Sequence, residues 1–279
     1  GSSGGKIKRD KPSEREASIH SLLLVQSNLH WKRQIGCGPG LDNYGNTCYL
    51  HATLQCLANV PSLAQIMLSD ALYNSLGIRS LRDQQKRIIE LFRDYVRGYW
   101  SKSRKGGRGR SVLGPRDMVN NIRRISRTFK KNRQQDSHEY LRELLGKMDE
   151  EILKSYNVKA TDGKISQTSM VSRVFGGSLR NELKCKTCNF VSLTYNHFQD
   201  LSLELNQDTT SVSDCIKHFT KKEFLGKGNE WKCEKCNKKV KASKQMTISS
   251  SPQVLVLHLK RFSIFNMSGK VTKHIKFDN

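Results

Sequence analysis

Two pairs of cysteines place the strongest constraint on what this chain can fold into. Cys185 and Cys188 form one C-x2-C turn, and Cys233 and Cys236 form a second turn after 44 intervening residues. Each turn lies between candidate strands, and two such turns supply the four thiolates of a tetrahedral zinc site. The separation is too long for a short zinc ribbon, so the fold has to bring two hairpin tips together. We predict a structural Zn²⁺ with no open coordination position.

The cysteine content also bears on the compartment. The first eleven residues are polar and basic, with no apolar segment, so we expect no secretory signal. The sequence has no apolar run of about 18 residues, so we expect no membrane span and no membrane partner. Eight cysteines without an export signal indicate a reducing, intracellular environment, where paired cysteines are more often metal ligands than disulfides. Cysteines without metal, in the core or on the surface, are the alternative.

The formal charge of +24 is concentrated in two stretches. Residues 102–133 contain 12 lysines and arginines and one acid, and residues 217–244 contain ten lysines and three glutamates. Such runs favour nucleic acid, chromatin or an acidic partner, and they favour the nucleus over the cytoplasm. A solvated surface or loop is the alternative, because charge runs alone specify little.

Hydrophobic spacing divides the chain into a helical half and a β half. Apolar residues recurring at three and four predict helices over residues 49–58 and 82–99, and two more starting at Pro115 and at Asp136 or Ser137. Alternating and β-branched residues predict strands after about residue 164. Residues 1–35 are interpreted as a flexible basic leader with a short helix over residues 19–31.

The loop GLDNYGNTCYL, residues 40–50, places Cys48 at the start of an apolar helix. The partial positive charge of a helix N-terminus favours thiolate over thiol. Asn43 offers an amide that can donate to a developing oxyanion. This arrangement predicts an activated thiol nucleophile, with a buried packing cysteine as the alternative. Cys37, Cys56 and Cys215 are interpreted as ordinary residues, and Cys56 is expected in the core.

Several separated stretches resemble the ubiquitin-specific protease family. Residues 40–50, followed by LQCL at 54–57, resemble its cysteine box, and QQDSHEY at 134–140 resembles its QQDxxE box. PQVLVLHLKRF at 252–262 is similar to the strand that precedes its histidine box. The C-x2-C turns lie where this family has zinc-bearing fingers. The resemblance covers residues 36–279, and residues 115–140 are most similar to its nuclear and nucleolar branch.

The resemblance implies an α+β, papain-like cysteine isopeptidase that acts on ubiquitin and ubiquitinated proteins. The helical thumb would be residues 36–165, and the fingers and part of the β palm residues 166–279. By match to the family motifs, Cys48 is the nucleophile and Asn43 the oxyanion-stabilising residue. Asp136 and Glu139 match acids that bind the arginine-containing tail of ubiquitin. Helix capping is the alternative role for both acids.

The chain departs from the family pattern at its catalytic base. The family has its catalytic histidine in a Gly-His-Tyr context downstream of the strand, whereas this chain ends 17 residues after Phe262. His138, His258 and His274 are poor substitutes. His51 stands three residues after Cys48, where an asparagine is expected, and is interpreted as a helix-surface residue near the cleft.

We therefore expect the C-terminal part of the palm to be missing. Residues 1–279 alone are expected to hydrolyse negligibly, for want of a general base. The alternatives are a catalytically dead relative that binds ubiquitin and a zinc-containing basic module that binds nucleic acid.

Overall fold

The computed structural model describes residues 18–32, 36, 38–78, 85–103, 112–262 and 269–277. Helices dominate up to residue 175 and strands dominate beyond it. The helices are α1 (Leu22–Gln26), α2 (Cys48–Ala58), α3 (Pro61–Leu68), α4 (Asp70–Asn74), α5 (Ile88–Ser103), α6 (Arg116–Asn120), α7 (Ile122–Ile125), α8 (Ser137–Ser155), α9 (Met170–Phe175) and α10 (Val212–Phe219). Across the described ranges, these helices are too short or too polar to cross a membrane.

The helical half has its own hydrophobic core, built around α2, α5 and α8. Helix α8 begins at an N-cap, Asp136, whose side chain accepts hydrogen bonds from two backbone N–H groups of the first turn. One stripe of α8 is buried, at the three- and four-residue spacing that the sequence predicts. It consists of Tyr140, Leu144, Leu145, Met148 and Ile152. This packing holds α8 against α2, and so places the QQDSHEY segment beside the helix that begins at Cys48.

Helix α5 receives its N-terminal cap from another helix. The side chain of Glu151, on α8, is buried and accepts hydrogen bonds from the backbone N–H groups of Ile88 at 3.1 Å and Ile89 at 3.0 Å. The first N–H groups of a helix have no partner within the helix, and the carboxylate also complements the helix dipole.

We predict that Glu151→Ala lowers the free energy of unfolding by about 1–3 kcal/mol, because it leaves two buried donors without an acceptor. Glu151→Gln keeps an acceptor oxygen and costs less. Urea denaturation measures both variants. Glu150→Ala is the matched control, because its exposed pairs with Lys147 and Lys154 contribute at most about 1 kcal/mol. Equal losses for Glu151→Ala and Glu150→Ala would contradict the capping role.

The described residues form four small sheets, of which three lie in the β half and one joins two short strands of the helical half. The strands are β1 (Gly40–Leu41), β2 (Val112–Leu113), β3 (Gly177–Cys185), β4 (Val191–Phe198), β5 (Leu201–Leu203), β6 (Glu223–Leu225), β7 (Trp231–Cys233), β8 (Lys238–Val240), β9 (Ala242–Ser250) and β10 (Leu257–Leu259). The largest sheet has the order β4-β3-β9-β6 and is antiparallel throughout. Strands β5 and β10 pair in parallel, as do β1 and β2, and β7 and β8 form an antiparallel hairpin.

The segment before β10 joins the two halves. Val254 and Val256 pack against the helical core. The N–H of Val254 donates to the carbonyl of Val174 on α9 at 2.9 Å, and the N–H of Leu201 donates to the carbonyl of Val256 at 2.9 Å. A second core, which includes Leu203 and Cys215, lies beneath β5 and α10. One wall of the cleft described below is therefore fixed to both cores.

The amino-terminal segment differs from the flexible leader that the sequence predicts. Residues 1–17 and 33–35 lie outside the described residues, but residues 18–32 pack on the helical half. Val25 is fully buried, Trp31 contacts Trp100 with ring centroids 5.0 Å apart, and the N–H of His20 donates to Thr168 O at 3.1 Å. The helix predicted over residues 19–31 is shorter in the structure, where α1 has five residues.

The helix predicted to begin at Pro115 is also different. Pro115 is the N-cap rather than the first helical residue, and the helix is divided into α6 and α7 at Asn121. Phe129 is buried, as expected of that apolar face, but lies beyond α7. Helix α5 begins at Ile88 rather than at residue 82, and residues 79–84 lie outside the described residues.

Candidate active site and metal centre

The loop that precedes Cys48 is held in place on both sides. On one side, β1 pairs with β2, and the N–H of Asp42 donates to Leu113 O at 3.0 Å. On the other, the side-chain amide of Asn46 donates to the carbonyl of Asn132 at 3.0 Å. The chain turns through positive φ angles at Gly45 (80°) and Asn46 (54°), a conformation that glycine and asparagine tolerate best.

Tyr44 anchors the middle of this loop. Its hydroxyl accepts a hydrogen bond from Arg116 Nε at 3.1 Å, and the guanidinium lies 5.3 Å from the ring centroid. A Cβ atom on Gly114 would lie 1.9 Å from the Tyr44 hydroxyl, so only glycine admits the ring here. The sequence gives no sign of this contact, because the two segments are 70 residues apart along the chain.

Cys48 is the first residue of α2 and its side chain is exposed. Ala52 and Cys56 follow at intervals of four residues, so the three residues share one stripe of the helix. Ala52 and Cys56 line a cavity of about 340 Å³ between α2, α8 and β10. The thiol thus lies on the helix face that borders a cleft between the helical half and the β half. The structure corrects the expectation that Cys56 is in the core: it is exposed to this cleft.

Thr47 connects Asn43 to the start of α2. Its buried hydroxyl donates to Asn43 Oδ1 at 3.0 Å, and its backbone N–H donates to the same oxygen at 3.4 Å. The N–H of Tyr44 donates to Thr47 Oγ1 at 3.1 Å. His51 Nε2 lies 3.3 Å from Thr47 Oγ1. His51 is buried, which corrects the expectation of a surface residue.

Two other histidines line the cavity. His138 and His258 stack with ring centroids 3.8 Å apart, and His138 Nε2 lies 2.8 Å from Asp200 Oδ2. Burial and the neighbouring His138 lower the pKa of His258. Ser202 Oγ lies 3.0 Å from His258 Nδ1. All eight histidines are among the described residues, and none of them hydrogen-bonds to Cys48 there.

The two acids of the QQDSHEY segment occupy the N-terminus of α8. Asp136 Oδ1 accepts from the N–H groups of His138 at 2.7 Å and Glu139 at 3.0 Å. Glu139 is exposed in the first turn of the helix, and Glu139 Oε1 accepts a long hydrogen bond from Thr128 at 3.4 Å. Asp136 is therefore a helix cap, and both of its backbone contacts involve a single carboxylate oxygen.

The four paired cysteines converge at the tip of the β half. Their sulfurs all lie within 4.8 Å of one another, with Cys185 Sγ 3.9 Å from Cys236 Sγ and Cys188 Sγ 3.8 Å from Cys233 Sγ. Zn–S bonds of about 2.3 Å in a tetrahedron separate the sulfurs by about 3.8 Å, so this donor set fits a four-thiolate metal ion. The prediction that the two turns converge is confirmed.

Each turn directs backbone N–H groups at its first sulfur. The N–H groups of Thr187 and Cys188 lie 3.3 Å from Cys185 Sγ, and the N–H of Cys236 lies 3.5 Å from Cys233 Sγ. The residue after each turn is an asparagine at positive φ: Asn189 at 57° and Asn237 at 51°. These donors stabilise thiolates, which are the form that binds metal.

An exposed thiol at a helix N-terminus, a cleft beside it and a four-cysteine cluster thus occur together in a domain of mixed helix and sheet. Residues 39–279 match the family model described as ubiquitin carboxyl-terminal hydrolase, so this chain belongs to that family. It is 36% identical over 244 residues to ubiquitin carboxyl-terminal hydrolase 23 of Arabidopsis thaliana, covering 86% of this chain and 26% of the relative. It is 36% identical over 252 residues to ubiquitin carboxyl-terminal hydrolase 42 of Homo sapiens, covering 89% of this chain and 18% of the relative.

Solved structures share the fold. The SAGA Ubp8/Sgf11/Sus1/Sgf73 DUB module bound to ubiquitin aldehyde contains a chain with a TM-score of 0.68 and 27% identity, covering 89% of this chain and 53% of that one. The module bound to monoubiquitin gives a TM-score of 0.66 at 28% identity, covering 86% and 52%. The predicted α+β fold is thereby confirmed. The chain spans about half, or less, of the length of the proteins it matches here.

Proposed function

We propose that this chain is the core of a ubiquitin-specific thiol protease, which cleaves the bond after the C-terminal glycine of ubiquitin. The observation that carries the proposal is the exposed Cys48 at the first position of α2, beside the loop that holds Asn43. The likeness to modules bound to ubiquitin and ubiquitin aldehyde supports ubiquitin as the substrate.

In the proposed reaction, the Cys48 thiolate attacks the carbonyl carbon of the terminal glycine. The dipole of α2 stabilises the thiolate, and the Asn43 amide donates to the oxyanion that forms. Expulsion of the substrate amine leaves a thioester, which water hydrolyses. The departing amine needs a proton, and within the described residues no histidine contacts Cys48 to supply it.

We further propose that the four cysteines bind Zn²⁺. Four thiolates in a tetrahedral arrangement favour zinc, and a site with four protein ligands is closed to substrate. The ion would serve structure alone, by joining the β3–β4 turn to the β7–β8 hairpin. The sulfur separations and the N–H donors at both turns support this assignment.

Covalent capture by ubiquitin with a C-terminal electrophile tests the proposal. Capture requires ubiquitin binding and a reactive thiol, but not a proton for a leaving amine. We expect an adduct of one ubiquitin per chain, which peptide mapping assigns to Cys48. An adduct at Cys56, which is exposed on the same helix, or no adduct at all, would contradict the proposal.

We predict that Asp136→Asn weakens ubiquitin binding by roughly 10- to 100-fold with little change in stability. Asparagine still caps α8, but the charge for the arginine-containing tail is gone, and charge-assisted hydrogen bonds contribute about 1.5–3 kcal/mol. Asp136→Ala also loses the cap and about 1 kcal/mol of stability. Titration calorimetry and urea denaturation measure the two quantities. Unchanged ubiquitin affinity in Asp136→Asn would assign Asp136 to capping alone.

A second candidate function is nucleic-acid binding by the tip of the β half. Nine lysines lie between residues 221 and 244, and none of them forms an ion pair with a described carboxylate. Phe224 is 73% exposed there, with Lys186 Nζ 5.3 Å from its ring centroid. Unpaired lysines and an exposed aromatic ring are features of surfaces that bind single strands, and they support the proposed nuclear location.

We predict that Lys238→Gln combined with Lys239→Gln lowers the affinity for a single-stranded oligonucleotide. The salt dependence of log K should also become shallower by roughly 0.7 for each phosphate that the variant no longer neutralises. The matched control is Arg127→Gln combined with Lys130→Gln, which removes the same charge from the helical half. Fluorescence anisotropy at several salt concentrations measures both. Equal effects of the two double variants would show charge attraction without a defined site.

A further inference from the structure

His51 lies one helical turn after Cys48, but its ring faces inward. Its side chain is buried, and Nε2 lies 3.3 Å from the hydroxyl oxygen of Thr47. That hydroxyl is in turn 3.0 Å from Asn43 Oδ1. A chain of two hydrogen bonds therefore runs from the imidazole to the amide that the proposed function assigns to the oxyanion.

The direction of these two hydrogen bonds follows from the donors and acceptors present. Asn43 Oδ1 faces the backbone N–H of Thr47, which can only donate, so the amide oxygen rather than the NH₂ group points to Thr47. Thr47 Oγ1 has one proton, and it is donated to Asn43 Oδ1. The hydroxyl oxygen then accepts from the N–H of Tyr44 and from His51 Nε2. His51 must therefore have its proton on Nε2.

The environment of His51 is consistent with a neutral ring. Burial lowers the pKa of the imidazole, and the Asp42 carboxylate opposes that effect only in part. A neutral imidazole has one N–H, and the hydrogen-bond network assigns it to Nε2. The ring thus donates to Thr47 across the neutral pH range without being charged.

We propose that His51 is a positioning residue for the oxyanion site. Through Thr47 it fixes the carboxamide of Asn43 with Oδ1 toward the start of α2, which leaves the NH₂ group directed away from Thr47 and available to the oxyanion. This inference rests on the proposed function, because it gives a role to the side chain that fixes Asn43. It assigns no proton transfer to His51 and does not make it the general base.

The test compares ubiquitin aldehyde with ubiquitin. The Cys48 thiol adds to the aldehyde carbonyl to form a hemithioacetal, in which the former carbonyl oxygen occupies the oxyanion position and no group leaves. We expect His51→Leu to weaken binding of the aldehyde about tenfold and binding of ubiquitin less than about twofold. His51→Gln, which retains a donor, should recover most of the loss.

Thr53→Val is the matched control for a purely structural effect. Thr53 is buried on the same helix and its hydroxyl contacts the carbonyls of Tyr49 and Ser137, outside the network. Thr53→Val should change the stability of the protein but not the ratio of its affinity for ubiquitin aldehyde to its affinity for ubiquitin. A fall in that ratio for Thr53→Val equal to that for His51→Leu would overturn the proposal, as would an unchanged ratio in His51→Leu.

A second measurement separates this proposal from the proposed function. Long-range ¹H–¹⁵N correlation spectra distinguish the two neutral tautomers of a histidine ring in the free chain. We expect His51 to have its proton on Nε2, and a proton on Nδ1 would overturn the network. If neither ubiquitin nor its aldehyde binds, the proposed function fails, and a positioning role at an oxyanion site fails with it.

Discussion

Removal of zinc by a chelator is expected to unfold the tip of the β half and to leave the helical half folded. The hydrophobic cluster around the four cysteines is small: among the described residues, only Cys185, Cys233 and Val240 are buried in it. Strands β7 and β8 have three residues each, and an isolated short hairpin is marginally stable at best. Zinc binding by comparable peptides contributes about 10–16 kcal/mol, which is more than this cluster can replace.

The three tryptophans report on the two regions separately. Trp231 stacks on Phe190 beside the cysteines, with ring centroids 6.4 Å apart, whereas the Trp100 indole donates to Ala58 O in the helical core at 2.9 Å. On chelation, the indole resonance of Trp231 should move to its unfolded position while that of Trp100 stays.

Elemental analysis should find one zinc per chain, and Cys188→Ser should lose the ion to a competing chelator. Cys215→Ser is the control, because Cys215 is buried outside the cluster. A zinc-free chain in which Trp231 keeps its native resonance would show that the metal does not hold this tip together.

The features that the sequence predicts well depend on local geometry. A C-x2-C turn places two thiolates together whatever surrounds it, so the two pairs identify the cluster before the fold is known. The apolar spacing after Cys48 likewise predicts α2, which begins at Cys48 itself and ends at Ala58 as expected. The apolar stripe likewise predicts that α8 starts at Asp136 or Ser137, and the structure assigns the cap to Asp136.

The features that the sequence does not predict depend on contacts between distant segments. Cys56 has helical spacing typical of a core residue, but the side of α2 that it occupies faces a cleft. The contact of Tyr44 with Arg116 depends on the parallel pairing of β1 with β2. Strands of two residues are too short to produce a recognisable pattern in the sequence. His51 is buried and contacts Thr47 at the end of the loop before α2, and this loop turns through positive φ angles at Gly45 and Asn46.

Cys48→Ala is expected to abolish covalent capture of electrophilic ubiquitin, while ubiquitin binding is retained. Loss of a peptidase nucleophile costs on the order of 10⁶ in kcat, because the other groups of the site act through it. Cys48 hydrogen-bonds to no described side chain, so its removal should leave the fold intact. Cys56→Ser is the matched control on the same helix. It should react with electrophilic ubiquitin at a rate within about twofold of that of the unaltered chain.

The same variants distinguish the contribution of the nucleophile from that of a general base. We expect the chain to hydrolyse ubiquitin with a C-terminal fluorescent amide much more slowly than it reacts with electrophilic ubiquitin. The reason is that no histidine contacts the Cys48 thiol in the structure described. Release of the fluorophore at a rate typical of the family, lost in Cys48→Ala, would mean that a histidine within this chain moves to the thiol when ubiquitin binds. An adduct formed by Cys48→Ala, for example at the exposed Cys56, would instead remove Cys48 from the role of nucleophile.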